Sequence, residues 1–394
     1  MLNITTLYCG LSQPADGLRY GRGEGAPRSA AERKPVVVWN ITRRCNLNCL
    51  HCYSDSCAQE YPGELTFSEC QAVVDDLAQY GVPAVLLSGG EPLLHPRFFD
   101  LAGYLVGKGL RLTISTNGTL IDRATAAKLK EFSCAYVGIS LDGIGPTHDH
   151  FRGRPGAFER TVAAFRNCRA EGQKVGLRLT LSRHNVEDLE RIFDFIEREE
   201  IERVCFYHLV YSGRGSGLQI LTPEATRQVL DKIMDRAARW AAAGLSREVL
   251  TVGQPADGAY MLLRLRRENA DRAAQTLRML EWNGGGLYGT GVGIGNLDSQ
   301  GGVHPDQFWQ TYTLGNVRQQ PFSRIWGSSQ DPILTGLRNR AARITGRCAT
   351  CRFFNICGGG FRVRAAQTGD PWASDPACYL SDAEIGPQRA GDQA

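Results

Sequence analysis

From residue 35 onward, short β-branched and aliphatic runs alternate with stretches of helical periodicity, six times before residue 245. PVVVWNIT (35–42), AVLLSGG (84–90), RLTISTNG (111–118), AYVGISLDG (135–143), KVGLRLTLS (174–182) and RVCFYHLV (203–210) read as strands. Between them a capping box of Thr66 and Glu69 opens a helix with Cys70, Val73, Val74 and Leu77 on one face. Further helices are predicted over about 96–108, 121–132, 157–171 and 187–199, the last with Asn185 as its cap and Leu189, Ile192, Phe193 and Ile196 turned inward. A sixth begins at Thr222, with Pro223 in its first position. Parallel strands need crossover connections, so this rhythm predicts an α/β fold built on a parallel sheet. In such folds the side chains that do chemistry sit in loops leaving the carboxyl ends of strands.

The flanks read differently. Residues 1–34, rich in Gly, Arg, Ser and Ala from 13 onward, read as a flexible lead-in, and 246–283 as a helical linker after the 35–245 domain. Nine of residues 284–302 are Gly, and the hairpin-like GIGNLDSQGGVHPDQFW starts what reads as a separate C-terminal domain over 284–385, with 386–394 as a tail. GVGIG (291–295) is not a dinucleotide fingerprint, because its spacing is GxGxG and no helix opens after it.

Composition excludes several classes of function. The chain of 394 residues is 42% hydrophobic and 22% charged, and its net charge of +4 is too small for a nucleic-acid-binding stripe. No apolar run approaches the ~18 residues of a membrane span. The start, MLNITTLYCGLSQP, has neither the basic region nor the long apolar stretch of a secretory signal. A cytoplasmic protein without nucleic-acid or membrane partners is expected.

Thirteen cysteines are unusual for such a chain, and an odd number in a reducing compartment argues against a disulfide framework. Cys9, Cys57, Cys70, Cys134, Cys168 and Cys205 are scattered and read as small buried hydrophobes. The other seven are grouped. Cys45, Cys49 and Cys52 lie in the loop after the first strand, and Cys348, Cys351 and Cys357 are followed by Cys378. Three closely spaced thiolates can hold three corners of an iron–sulfur cube and leave one iron open. A structural zinc ion is the alternative, but it needs a closed shell of four ligands, and His51 beside Cys52 would make a strained fourth. The second group has four thiols, enough for a closed site of either kind.

CNLNCLHC (45–52) resembles the C-x3-C-x-Φ-C signature of radical S-adenosylmethionine (SAM) enzymes, with His51 at the usually aromatic position. SGGEP (88–92), STNGT (115–119) and SLDG (140–143) follow in order at successive strand ends, as in that family. The resemblance implies a partial (β/α)6 parallel barrel and a [4Fe–4S] cluster whose open iron binds SAM. It places His51 near the adenine, Gly89 and Gly90 where the backbone comes close, Glu91 at the SAM ammonium, Asn117 and Ser140 in SAM contacts, and Arg152 at the SAM carboxylate. Reductive cleavage of SAM to a 5′-deoxyadenosyl radical then requires an external low-potential electron donor. The second thiol group resembles the SPASM/Twitch-type C-terminal extension that carries auxiliary [4Fe–4S] clusters. His304, Pro305 and Asp306 stand where Pro-Cys is common in such extensions, and Phe361 stands where a further cysteine follows CGGG. One auxiliary cluster is therefore expected, two clusters in all.

Within the family the resemblance is greatest to the haem d1 biosynthesis branch. It runs from VVVWNITRRCNLNCLHCYS through LLSGGEPLL, YVGISLDG and YHLVYSGRG to CGGGFRVRAAQTGDPWASDPACYL. It implies a tetrapyrrole substrate, 12,18-didecarboxysiroheme, with two propionate chains replaced by oxo groups. The alternatives are a side-chain-cleaving or decarboxylating enzyme of the alternative haem route, a peptide maturase, and a non-catalytic zinc scaffold. Maturases often carry an N-terminal recognition domain of some eighty residues, whereas thirty-four residues precede the first strand here. Tyr53, Tyr207, His208 and Arg214 are candidates for substrate contact at the strand ends. Arg264, Arg266, Arg267 and Arg272 read as a solvated helix face, with a donor-docking patch as the alternative.

Overall fold

In the strands the side chains divide by parity, one set turned to helices and the other to a central cavity. The computed structural model describes residues 1–14, 16–20, 33–328 and 330–386. The strands are β1 (Leu2–Asn3), β2 (Val36–Asn40), β3 (Val85–Ser88), β4 (Leu112–Thr116), β5 (Tyr136–Ser140), β6 (Val175–Leu181), β7 (Arg203–His208), β8 (Glu248–Val252), β9 (Ile294–Leu297), β10 (Gly302–His304) and β11 (Gly315–Asn316). They form one sheet in the order β1-β8-β7-β6-β5-β4-β3-β2-β9-β10-β11. Strands β2 to β8 pair in parallel with one another, in the curved α/β arrangement of a partial barrel.

Trp39, Leu87, Ile114, Ile139, Leu179 and Phe206 form the buried outer parity and pack under the helices. Each such side chain contributes about 1.5–3 kcal/mol by leaving water. The opposite parity is mostly polar, with Ser88, Ser115, Ser140, Arg178, Thr180 and Tyr207 facing the cavity beside Val38 and Leu86. A strand can sustain this alternation because successive side chains point to opposite faces. The helix Phe67–Tyr80 starts at the Thr66 and Glu69 capping box and buries Cys70, Val73, Val74 and Leu77. Thr222 caps the helix Pro223–Ala242.

Several expectations change. Residues 2–7 are not a flexible lead-in. Leu2 and Asn3 pair antiparallel with β8, and the turn Ile4–Leu7 is buried because Ile4 and Leu7 join the core. The expectations for 21–32 and 387–394 fall outside the described residues. The span 246–283 is not wholly helical, since it opens with β8, a seventh parallel strand whose Glu248 pairs with Arg203 at 3.2 Å and Arg19 at 2.5 Å. Nor does the glycine-rich hairpin start a detached unit. β9 pairs in parallel with β2, and β10 and β11 continue the same sheet. Asn185 does not cap Leu189–Arg198 with its side chain. It accepts from the Ser182 N–H and donates to the Asp142 and Thr180 carbonyls, so it ties β6 to the loop after β5.

Arg264 and Arg272 are not free cations on a helix face. Arg264 pairs with Asp231, Asp235 and Glu268, and Arg272 donates to the carbonyls of Leu7 and Thr6. Arg266 and Arg267 are exposed. Of the scattered cysteines, Cys70, Cys134, Cys168 and Cys205 are buried, whereas Cys9 and Cys57 are partly so.

Candidate active site

The loop leaving β2 packs Cys45, Cys49 and Cys52 together with Leu47 and Ala157. It is pinned at its base by the Cys45 N–H donating to the Cys57 carbonyl at 2.9 Å. Each sulfur has a donor. The Leu47 N–H lies 3.4 Å from the Cys45 sulfur, the Ser56 N–H 3.4 Å from that of Cys52, and Arg152 3.5 Å from that of Cys49. Burial pushes the Cys45 thiol up to about 12 and raises that of Cys49 as well, so a cationic group is needed to hold these sulfurs as thiolates. His51 is not placed as a fourth ligand. Its ring lies 4.6 Å from that of Phe151, and its Nε2 lies 3.5 Å from Asp142.

The close approach at Gly89 and Gly90 is made by the chain itself. A Cβ at Gly89 would lie 2.3 Å from the Thr42 carbonyl oxygen, and one at Gly90 2.3 Å from that of Arg44. The Gly90 and Glu91 N–H groups donate to those two carbonyls, so the GGE segment clamps the cysteine loop. The Glu91 carboxylate is fully buried and accepts from the Thr116 hydroxyl, the Asn117 N–H and the Leu93 N–H. Burial pushes its pKa up to about 7 against those hydrogen bonds. The Asn117 amide donates to Asn46 at 2.8 Å, inside the cysteine loop, and is not among the cavity-lining residues. Arg214 faces the loop rather than the cavity, contrary to its expected substrate contact. It donates to the Cys49 and Ser56 carbonyls at 2.9 Å, because the segment after β7 folds back over the cysteines.

Beside this loop a cavity opens at the carboxyl ends of the strands, where small-molecule sites of α/β folds are found. It brings together His51, Tyr53, Ser140, Arg152, Tyr207 and His208 of the residues singled out from sequence. Arg152 is buried and paired with Asp142. Although burial opposes its charge, Arg152 and then His51 hold the Asp142 carboxyl below the usual carboxylate range. Burial pushes His51 down to about 4, so its ring is neutral. The Tyr53 hydroxyl accepts from Asn40 at 2.8 Å, and its ring meets Phe308 edge-on at 5.0 Å. His208 lies 2.9 Å from Asp257, whose other oxygen accepts from the Tyr379 hydroxyl at 2.9 Å. Sequence reasoning missed Asp142, Arg178, Asp257 and Phe308. Asp142 lies within the SLDG segment already noted, and Arg178 left a trace as a single charge inside the apolar strand VGLRLTL.

The second thiol group lines its own small apolar cavity, with Cys348, Cys351, Cys357 and Cys378 in its wall. Gly358, Gly359 and Gly360 follow Cys357 with φ of 65°, 76° and 83°, a left-handed path that glycine follows without strain. A Cβ at Gly360 would meet Asp375 at 2.4 Å. Asp375 receives Arg364 through two hydrogen bonds, at 2.9 and 2.7 Å, and the Phe361 N–H at 2.7 Å. That buried pair fastens the segment after Cys357 to the one before Cys378. Burial raises the Cys357 thiol well above its ordinary value.

Both donor sets fit iron–sulfur groups. The first set offers three sulfurs, and beside it the His51 Nδ1 and Arg152 Nε are buried without hydrogen bonds in the described structure. Each such atom costs about 1–3 kcal/mol unless a ligand pairs it. A polar molecule spanning Arg152, His51 and the serine hydroxyls would relieve that cost.

The radical SAM superfamily model matches residues 39–196. The Fe-coproporphyrin III synthase of Methanosarcina barkeri is 48% identical, over 98% of this chain and 99% of that protein. The pre-heme d1 synthase of Dinoroseobacter shibae is 43% identical, over 90% of this chain and 88% of that protein. Among solved structures, Streptococcus suis SuiB bound to S-adenosylmethionine has a TM-score of 0.69 at 18% identity, covering 88% of this chain and 78% of that one. Native anSMEcpe with bound AdoMet has a TM-score of 0.69 at 19% identity, covering 89% and 96%. These two likenesses are of fold: the partial barrel with its C-terminal extension.

Proposed function

The chain belongs to the radical SAM superfamily and is a radical SAM enzyme, with a [4Fe–4S] cluster and SAM as its cofactors, and we propose that it removes side chains from an iron tetrapyrrole. The observation that carries this reading is the 48% identity to an Fe-coproporphyrin III synthase over essentially both chains. The proposed product is an iron coproporphyrin. The haem d1 step is the second reading, in which two propionates of didecarboxysiroheme give way to oxo groups, and the 43% identity to a pre-heme d1 synthase supports it.

Cys45, Cys49 and Cys52 are proposed to hold the SAM-binding cluster, and Cys348, Cys351, Cys357 and Cys378 one auxiliary cluster. When bound, the first cluster and SAM supply a 5′-deoxyadenosyl radical by one-electron cleavage of the sulfonium, with the electron from an external low-potential donor. The residues around the cavity bind and orient. The Ser140 hydroxyl and the Arg152 guanidinium face SAM's polar groups, while His51, held neutral against Phe151, offers an apolar face to the adenine. Asn117 positions the cysteine loop through Asn46, and Glu91, which accepts from the Asn117 N–H, holds Asn117 in place. Tyr53, Tyr207 and His208 form the wall that meets the substrate, and Phe308 from the C-terminal segment closes it against water. With four cysteines at the auxiliary site, no ligand position there is left for exchange.

The test is anaerobic incubation of reconstituted protein with SAM, dithionite and 12,18-didecarboxysiroheme, followed by mass analysis of the pigment. Fe-coproporphyrin III is the expected product. A pigment short of two propionates and bearing two oxo groups would establish the second reading. Unchanged pigment accompanied by 5′-deoxyadenosine would sink both.

A further inference from the structure

We propose that Arg178, on the cavity side of β6, is the anchor for a carboxylate side chain of the substrate, an inference that rests on the tetrapyrrole reading above. The cavity wall carries two guanidinium groups. Arg152 is matched, since Asp142 pairs with it and the Cys49 sulfur accepts from it. Arg178 is not. Its hydrogen bond goes to the Tyr207 hydroxyl, and among the described residues no carboxylate lies within ion-pair distance of it. The next arginine down the barrel interior, Arg203, has Glu248 at 3.2 Å. The register partner of Arg178 on β7 is Cys205, which brings no carboxylate either.

The fold makes room for this charge. A Cβ at Gly138, on the neighbouring β5, would lie 2.6 Å from the Arg178 Cδ, so glycine there lets the arginine stem cross the sheet toward the cavity. The guanidinium is only partly accessible, and that access is from the cavity. A cation taken out of bulk water without an anionic partner is unfavourable, and a carboxylate that accepts two parallel N–H bonds from the guanidinium fork relieves it. Two sources could supply a carboxylate, the substrate or SAM. The cysteine loop leaves β2, and in the sheet β6 is four strands away from it, whereas Arg152 already reaches Cys49. Arg178 and its partner Tyr207 lie instead on β6 and β7, the latter ending at His208, on the strands farther from β2. That position assigns the carboxylate to the substrate.

The experiment titrates reconstituted holoenzyme, without reductant, with Fe-coproporphyrin III and with its fully methyl-esterified form, following the pigment absorbance, and separately measures SAM binding by equilibrium dialysis. For Arg178→Met the acid pigment is expected to bind roughly tenfold to hundredfold more weakly, with the ester and SAM within about twofold of wild type. Arg178→Lys, which keeps the charge but loses the fork, should fall between the two and guards against misfolding of the methionine variant. Equal weakening of acid and ester, unchanged binding of both, or a loss of SAM affinity alone would each overturn the assignment. Wild-type protein that binds neither pigment would instead sink the tetrapyrrole reading itself.

Discussion

The Arg152 guanidinium stands between the Asp142 carboxylate and the Cys49 sulfur, so one side chain ties the cysteine loop to the end of β5. Hydrogen bonds and positive charge at the sulfurs raise the potential of an iron–sulfur cluster. Arg152→Met removes both and leaves Asp142 uncompensated, so redox titration followed by electron paramagnetic resonance should find the first cluster's midpoint shifted to more negative values. An unshifted midpoint would contradict the contact. His148 gives a second expectation. It is buried, its Nδ1 accepts from the Asp142 N–H at 3.1 Å, and burial pushes its pKa down to about 3 from an ordinary 6.5. Because the folded value is the lower one, the unfolded chain takes up the proton first. The apoprotein should therefore lose about 1.4 kcal/mol per pH unit as pH falls from 6.5 toward 3, and His148→Gln should flatten that limb in denaturant titrations. The cysteine spacing picked out the two groups of thiols that the fold brings together. Arg178 and Tyr207 are 29 residues apart, and Asp257 and Tyr379 are 122 apart, and no local pattern joins such partners.

Elements were legible where a local rule governs them. The Thr66 capping box and the Thr222 cap with Pro223 fix helix starts through neighbours three residues away, and both are present. β1 and β8 were not legible. β1 has two residues and exists only because β8 pairs with it, while β8 puts a charged Glu248 into the barrel, where Arg19 and Arg203 receive it. The GGEP turn reads locally as a SAM contact, yet its glycines are demanded by the backbone of the β2 loop. Gly90→Ala sets a Cβ 2.3 Å from the Arg44 carbonyl, so a destabilisation of about 1–3 kcal/mol is expected, with iron lost from the first site before the second. Stability and iron measurements on that variant check this, and wild-type values for both would refute the clamp. At the other site, Arg364→Met leaves Asp375 buried without its partner. It should cost roughly 3–5 kcal/mol and loosen the auxiliary cluster first, read by denaturant titration together with iron release.

Across the whole molecule, the pairing of β9 with β2 makes the C-terminal segment part of the barrel's own sheet, and Phe308 packs edge-on against Tyr53 in the cavity wall. The sequence suggested a boundary there, because nine glycines mark a change in composition; they mark instead a tightly packed turn, with a Cβ at Gly285 only 1.6 Å from the Ile356 carbonyl oxygen. A shared sheet couples the two thiol sites to one architecture while keeping their ligands separate. The central claim is that three thiolates near the first strand hold a cluster with one corner left for SAM, and that the other four hold a second cluster. The most direct measurement compares anaerobically reconstituted wild type with the Cys45, Cys49 and Cys52 triple alanine variant, counting iron and sulfide and assaying SAM with dithionite. The expected result is about eight iron per wild-type chain with 5′-deoxyadenosine formed, and about four iron with none formed in the variant. Cys348→Ala should retain part of the cleavage. Undiminished 5′-deoxyadenosine from the triple variant, or two zinc ions and no iron in wild type, would contradict the account.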